Sequence, residues 1–226
     1  MTNCRVADNI AGSGGGLYHY LGTAELVTTT VSRNSARDEG GGIYGHSPVA
    51  LDGSTVEANL ARAGGGVYGG GTFVNSTISG NEAEIAGGML LEPMTTLTHS
   101  TVASNVAPES DGIHGPLADS VMMTGTLIEG TCDLLSTVSN GYNIESSGNT
   151  CGLDHPTDRV DVSWTELELG PLQDNGGPTR THLPSPTSPA VNAIPTGDCN
   201  ISTDQRGIAR PQGSGCDVGA VEVETP

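Results

Sequence analysis

The sequence predicts an all-β chain, a right-handed parallel β-helix of about 24 residues per coil with an irregular C-terminal cap. Three observations predict it. A glycine-rich phrase recurs as Gly14-Gly15-Gly16-Leu17-Tyr18, Gly40-Gly41-Gly42-Ile43-Tyr44 and Gly64-Gly65-Gly66-Val67-Tyr68, and weakens to Gly87-Gly88-Met89-Leu90 and Asp111-Gly112-Ile113-His114. The aliphatic residue after the glycines falls at 17, 43, 67, 89 and 113, in steps of 26, 24, 22 and 24. A second phrase, aliphatic-x-x-Asn-x-Ala, runs in register with it from Val6, Val31, Val56, Ile78 and Val102. Finally, Gly supplies 34 of 226 residues, and no stretch of the repeats sustains a 3.6-residue apolar period, which excludes a helical repeat.

Stacking such coils at about 4.8 Å places equivalent residues above one another. Val6, Val31, Val56, Ile78 and Val102 form one interior column, and Leu17, Ile43, Val67, Met89 and Ile113 a second. Thr30, Thr55, Thr77 and Thr101 alternate with the first column and point outward. Asn9, Asn34, Asn59, Asn81 and Asn105 form a structural ladder where each strand ends, suited to left-handed backbone and to hydrogen bonds between layers. Residues 1–129 carry the repeats, the last of them a degenerate coil over Val121 to Glu129. From 130 to 226 Pro, Ser and Gly dominate, and the reading is of further irregular coils and a C-terminal cap within the same domain, with Trp164 and Leu167 over the open apolar end.

The pairing of Gly-Gly-x-aliphatic with aliphatic-x-x-Asn resembles the short motifs of the polymorphic membrane proteins of chlamydia-type bacteria, with Val or Ile here where that family usually has Phe. The C-terminal series Gly170-Pro171-Leu172-Gln173-Asp174-Asn175-Gly176-Gly177-Pro178-Thr179, Ser188-Pro189-Ala190-Val191-Asn192-Ala193, Asp204-Gln205-Arg206-Gly207, Arg210-Pro211-Gln212 and Cys216-Asp217-Val218-Gly219-Ala220-Val221-Glu222 is similar to the choice-of-anchor Q region that closes many bacterial β-helix surface proteins. Together these resemblances imply a right-handed parallel β-helix, export, and attachment to a surface. They imply no single activity.

Charge narrows the partners. Asp and Glu number 26 against 8 arginines, no lysine occurs, and the net charge is −18. Nucleic acid and anionic membrane surfaces need a basic face and are excluded as partners. No apolar stretch is long enough for membrane insertion of this segment. Ca²⁺ is the cation that clustered carboxylates suit, but no calcium-loop pattern places a metal. Cysteines fall as two close pairs and a singleton. The spacing predicts disulfides Cys132–Cys151 and Cys199–Cys216, leaving Cys4, and with them an oxidising, extracellular or cell-surface location. Neither a signal peptide nor an anchor is visible, Val6 already sits in an interior column, and the N-terminal end is expected to be truncated.

Candidate ligand-binding residues are the column Tyr18, Tyr44 and Tyr68, which continues as Leu90 and His114, and the neighbouring arginines Arg37 and Arg62. A tyrosine column serves either as a carbohydrate-binding strip or as a packed ladder. Arg33, Arg37 and Arg62 would serve an acidic-polysaccharide lyase by neutralising a uronate carboxylate. The alternative for these charges is a solvated ladder that pairs Asp8 with Arg33 and Arg62 with Glu84. The other histidines, His46 among them, share no column. The favoured reading is a secreted or surface β-helix with a non-catalytic adhesive or structural role toward glycan or protein ligands. The alternatives are the lyase and a self-assembling stack joined end to end through the exposed first coil, an open sheet edge.

Overall fold

The computed structural model describes residues 1–115 and 120–224. Strands wind into a parallel β-solenoid whose successive coils pair in register. One sheet stacks eight short strands: Arg5–Ala7, Thr30–Ser32, Thr55–Glu57, Thr77–Ser79, Thr101–Ala103, Leu127–Glu129, Ile144–Ser146 and Arg159–Val162. A second sheet of ten strands carries two columns. Leu17–His19 begins the one and Ala24–Val27 the other, and Ile43–Asp52 and Val67–Val74 run through both. A small third sheet pairs Ile10–Ala11 with Ser35–Ala36 and continues as single bridges through Leu60, Glu82 and Val106.

The core follows from the alternation of side chains along these strands. Val6, Val31, Val56, Ile78, Val102 and Ile128 pair in succession and point inward. Leu17, Ile43, Val67, Met89, Ile113 and Cys132 form the second column. Leu26, Leu51, Phe73, Leu97 and Met123 form a third. Phe73 is the only phenylalanine and is fully buried. Each aliphatic side chain in such a column contributes about 1.5–3 kcal/mol on burial, which is how a chain with so few aromatic residues holds together.

Two polar ladders run inside the turns. Asn9, Asn34, Asn59 and Asn81 each donate through Nδ2 to Oδ1 of the Asn one coil on, at 2.9–3.0 Å, ending on Asn105. The backbone N–H of each also reaches that same oxygen. The left-handed backbone lies one residue earlier than expected, at Asp8, Arg33, Ala58, Gly80 and Ser104. Asn therefore serves as the layer-to-layer bridge, and the residue before it absorbs the turn. A second ladder, which the sequence reading missed, takes Thr29, Ser54, Ser76 and Ser100: each backbone N–H of the first three donates to the next hydroxyl at 3.0–3.3 Å. Glycine is required where coils meet most closely. A Cβ on Gly65 would stand 2.5 Å from the carbonyl oxygen of Glu82.

The lower end of the stack closes differently from the prediction. Ile128 is followed in its column by Glu145, a fully buried carboxylate. Glu145 accepts hydrogen bonds from the Thr150 amide and hydroxyl and from the Cys151 amide at 2.5–3.0 Å. Cys132 is disulfide-bonded to Cys151, and Cys151 and Leu153 complete the same core cluster. Trp164 opens a helical turn, Trp164–Leu167, and is 58% exposed, so it covers no core. Its neighbour Leu167 is buried in a separate cluster with Ile144, Ala190, Ile194 and Val218.

That second cluster belongs to the tail. Residues 170–224 form a strap laid along the outer face of the eight-stranded sheet. The expected outward threonines do point outward, but Thr55, Thr77 and Thr101 are buried beneath this strap. Thr55 donates to the Arg180 carbonyl at 2.7 Å, and Thr101 accepts the Ala220 amide at 3.0 Å. Gly219 donates to the Gly125 carbonyl at 2.8 Å. The strap itself is fixed by two buried ion pairs, Arg206–Asp204 and Arg210–Glu222, both at 2.9 Å, and by the Cys199–Cys216 disulfide. Their geometry makes them internal fasteners of the strap.

Candidate functional site

With the eight-stranded sheet covered, the open surface of interest is the outer face of the ten-stranded sheet. Strand alternation puts Tyr18, Tyr44 and Tyr68 on that face in direct register, followed by Leu90, His114 and Asp133. The three rings stack at centroid separations of 4.9 and 5.1 Å, with interplanar angles of 7° and 17°. The coil repeat of about 4.8 Å sets this distance, so the stack is a direct consequence of register. Two residues along, Tyr20 stacks on His46 at 4.9 Å. His46 thus does share a column. The pair keeps the 26-residue offset that sets Tyr18 against Tyr44, so a residue count along these two strands could have found it.

Four of the chain's five tyrosines sit on this patch. Within the stack the ring faces are spent on one another. What the patch offers outward is ring edges and phenol hydroxyls, together with the free face of Tyr18, which is 53% exposed. Burial, with Glu39 and Glu92 nearby, pushes the Tyr68 phenol up to about 12; Tyr44 is raised by the same burial and then by Glu39. Both phenols stay protonated donors across the physiological range. Donors, carboxylate acceptors and an apolar face suit a hydroxyl-rich ligand without negative charge.

The predicted arginines do not converge. Arg33 binds Asp8 through Nε at 2.8 Å and Nη2 at 2.7 Å, which is the pairing the sequence suggested and which holds the Asp8 carboxyl below its ordinary range. Arg37 turns to its neighbour Asp38 at 2.8 Å. Among the described residues no ion pair joins Arg62 to Glu84, although Arg37, Arg62 and Glu84 line one shallow surface groove. One unpaired guanidinium is left there.

Other groups with chemical potential are fasteners. His182 meets Ser79 at 2.8 Å through Nε2 and the Gly170 carbonyl at 2.6 Å through Nδ1, but both side chains are buried where the strap docks. Arg180 pairs with Glu57 at 3.0 Å at the same junction. Among the described residues, one ligand atom each of Glu109, His114 and Asp133 gather within 4.8 Å of one another, at the foot of the tyrosine column. Sequence reasoning saw His114 only as the column's end. Glu109 stands in a turn and Asp133 in the next coil, so no motif spacing links the three.

No family model, curated protein or solved structure matches the chain.

Proposed function

We propose that this chain is an extracellular or cell-surface β-solenoid module with a non-catalytic, adhesive role, holding a neutral or cationic glycan against the Tyr18–Tyr44–Tyr68 column and the adjoining Tyr20–His46 pair. The observation that carries the reading is the concentration of four of five tyrosines on the uncovered sheet while the chain's own strap closes the other. Tyrosine edges and hydroxyls pair with sugar hydroxyls, and the free face of Tyr18 takes a C–H face of a pyranose. A net charge of −18 disfavours polyanionic chains, so uronate polymers fit poorly. Two disulfides fit the oxidising setting of an exported protein.

The experiment is glycan-array binding followed by calorimetry, with the wild type beside a Tyr18→Ala/Tyr44→Ala/Tyr68→Ala variant and a Tyr20→Ala variant. Loss of at least about tenfold in affinity in the triple variant is expected, which corresponds to about 1.4 kcal/mol. A triple variant that binds every glycan the wild type binds would refute the reading. So would ultraviolet absorbance from an unsaturated product on uronate polysaccharides, abolished by Arg62→Ala, because that result would establish a lyase.

A further inference from the structure

We infer that Glu109, His114 and Asp133 form a binding site for a divalent cation of the zinc class, independent of any glycan on the tyrosines above it. Topology brings the three together. Asp133 pairs directly with His114 in the next coil of the ten-stranded sheet. Glu109 ends the bridge column Glu39, Ala63, Ile85, Glu109 on the turn that precedes the His114 strand. One ligand atom from each of the three lies within 4.8 Å of the other two.

The histidine is the independent sign of a ligand. His114 is only 7% exposed, and its Nδ1 is buried with no hydrogen-bond partner. The Asp133 carboxylate stands 3.2 Å from it, close enough for an ion pair but not directed as a hydrogen bond. A buried ring nitrogen left without a partner costs about 1–3 kcal/mol. Nitrogen and oxygen ligands bound at about 2.0–2.2 Å in a tetrahedral site are separated by about 3.3 Å, so the observed pair already spans one edge of such a site. Glu109 is exposed, and its carboxylate would close the remaining gap by turning toward a bound ion.

Ligand chemistry selects the metal. Calcium takes six to eight oxygen atoms, and a buried imidazole is a poor member of that set. One imidazole and two carboxylates suit Zn²⁺, with Co²⁺ and Ni²⁺ as close substitutes. Both carboxylates face solvent, which leaves room for water at the fourth position. The ion would join two coils across the sheet face, where Leu90 separates it from Tyr68.

The test is isothermal calorimetry of the chelator-treated chain with Zn²⁺, and separately with Ca²⁺, beside His114→Gln and Asp133→Asn variants. The wild type should take up one Zn²⁺ per chain, and either variant should bind it at least about tenfold more weakly. Zn²⁺ should also raise the wild-type melting temperature and leave both variants unmoved, since only a ligand of the folded state stabilises it. Imidazole nitrogen NMR gives a reading free of other carboxylates: the His114 resonance should shift on Zn²⁺ and stay in place on Ca²⁺. Zn²⁺ uptake that persists unchanged in His114→Gln, no uptake by the wild type, or a response to Ca²⁺ equal to that for Zn²⁺ would each overturn the assignment. Circular dichroism of both variants confirms that any lost binding is not lost folding.

Discussion

Gln205 accepts the hydroxyl hydrogen of Thr77 at 2.6 Å across 128 residues of sequence. The same side chain donates to Thr55 at 2.8 Å and to Thr179 at 2.9 Å. One amide thereby satisfies hydroxyls on two adjacent coils and one on the strap. Gln205→Ala leaves the buried Thr77 hydroxyl without its acceptor and removes the donor shared by Thr55 and Thr179, and should cost about 2–3 kcal/mol, read as a lower urea midpoint. Limited proteolysis should then cut first within 170–224.

The Asn ladder predicts a gradient of effects. Asn81 bonds Asn59, Asn105 and the Val56 carbonyl from a fully buried position, whereas Asn9 is exposed at the first coil. Asn81→Ala should cost about 3 kcal/mol and Asn9→Ala under about 1 kcal/mol, measured by denaturant titration. Equal costs would mean that the ladder contributes nothing beyond local turn preference.

His99 gives the strap junction a pH dependence. Its Nε2 faces Asn200 at 2.9 Å, and burial, reinforced by Arg210, lowers its pKa to about 4. The folded chain therefore holds the ring neutral, while the unfolded chain protonates it near its ordinary value of 6.5. Its contribution is fully present above that value and is lost as pH falls from about 6.5 to about 4. Asp217 works in the opposite sense: burial raises it to about 6, so its cost is relieved as pH falls through that value. Substituting His99→Gln isolates the first effect. The stability of the wild type relative to the variant should fall by about 2 kcal/mol between pH 7 and pH 4.5, read from urea curves.

The disulfides differ in where they act. Cys132–Cys151 closes the end of the solenoid core and Cys199–Cys216 closes a loop of the strap. Each double Cys→Ser replacement should cost about 3 kcal/mol, given loops of similar length. Mass spectrometry of the alkylated native chain should find one reactive thiol, Cys4, which is exposed. Reductant should open four more.

The solenoid was legible because every coil restates the same constraint. Val31, Val56 and Ile78 each follow a Thr and each precede an Asn, and that redundancy fixes both register and facing. The tyrosine stack follows from the same register. The strap was not legible, since its partners lie more than 100 residues away and it carries no period. A threonine column judged from its own strand looks like a solvent face. Only the tail's placement turns it into an interior one. His114 illustrates the same limit: its place in the column could be counted, but its burial and the approach of Glu109 depend on how a turn folds over it.

A stack whose coils touch only their nearest neighbours melts like a zipper, fraying from whichever end is weaker. The strap changes that statistical picture here. It is bonded to four successive coils, at Gly53, Asn75, Thr101 and Gly125. The coils they join cannot separate one by one while those clasps hold, and releasing them frees several coils at once. The clasped coils should therefore unfold as one cooperative block, with a sharp transition in place of a broad, length-dependent one.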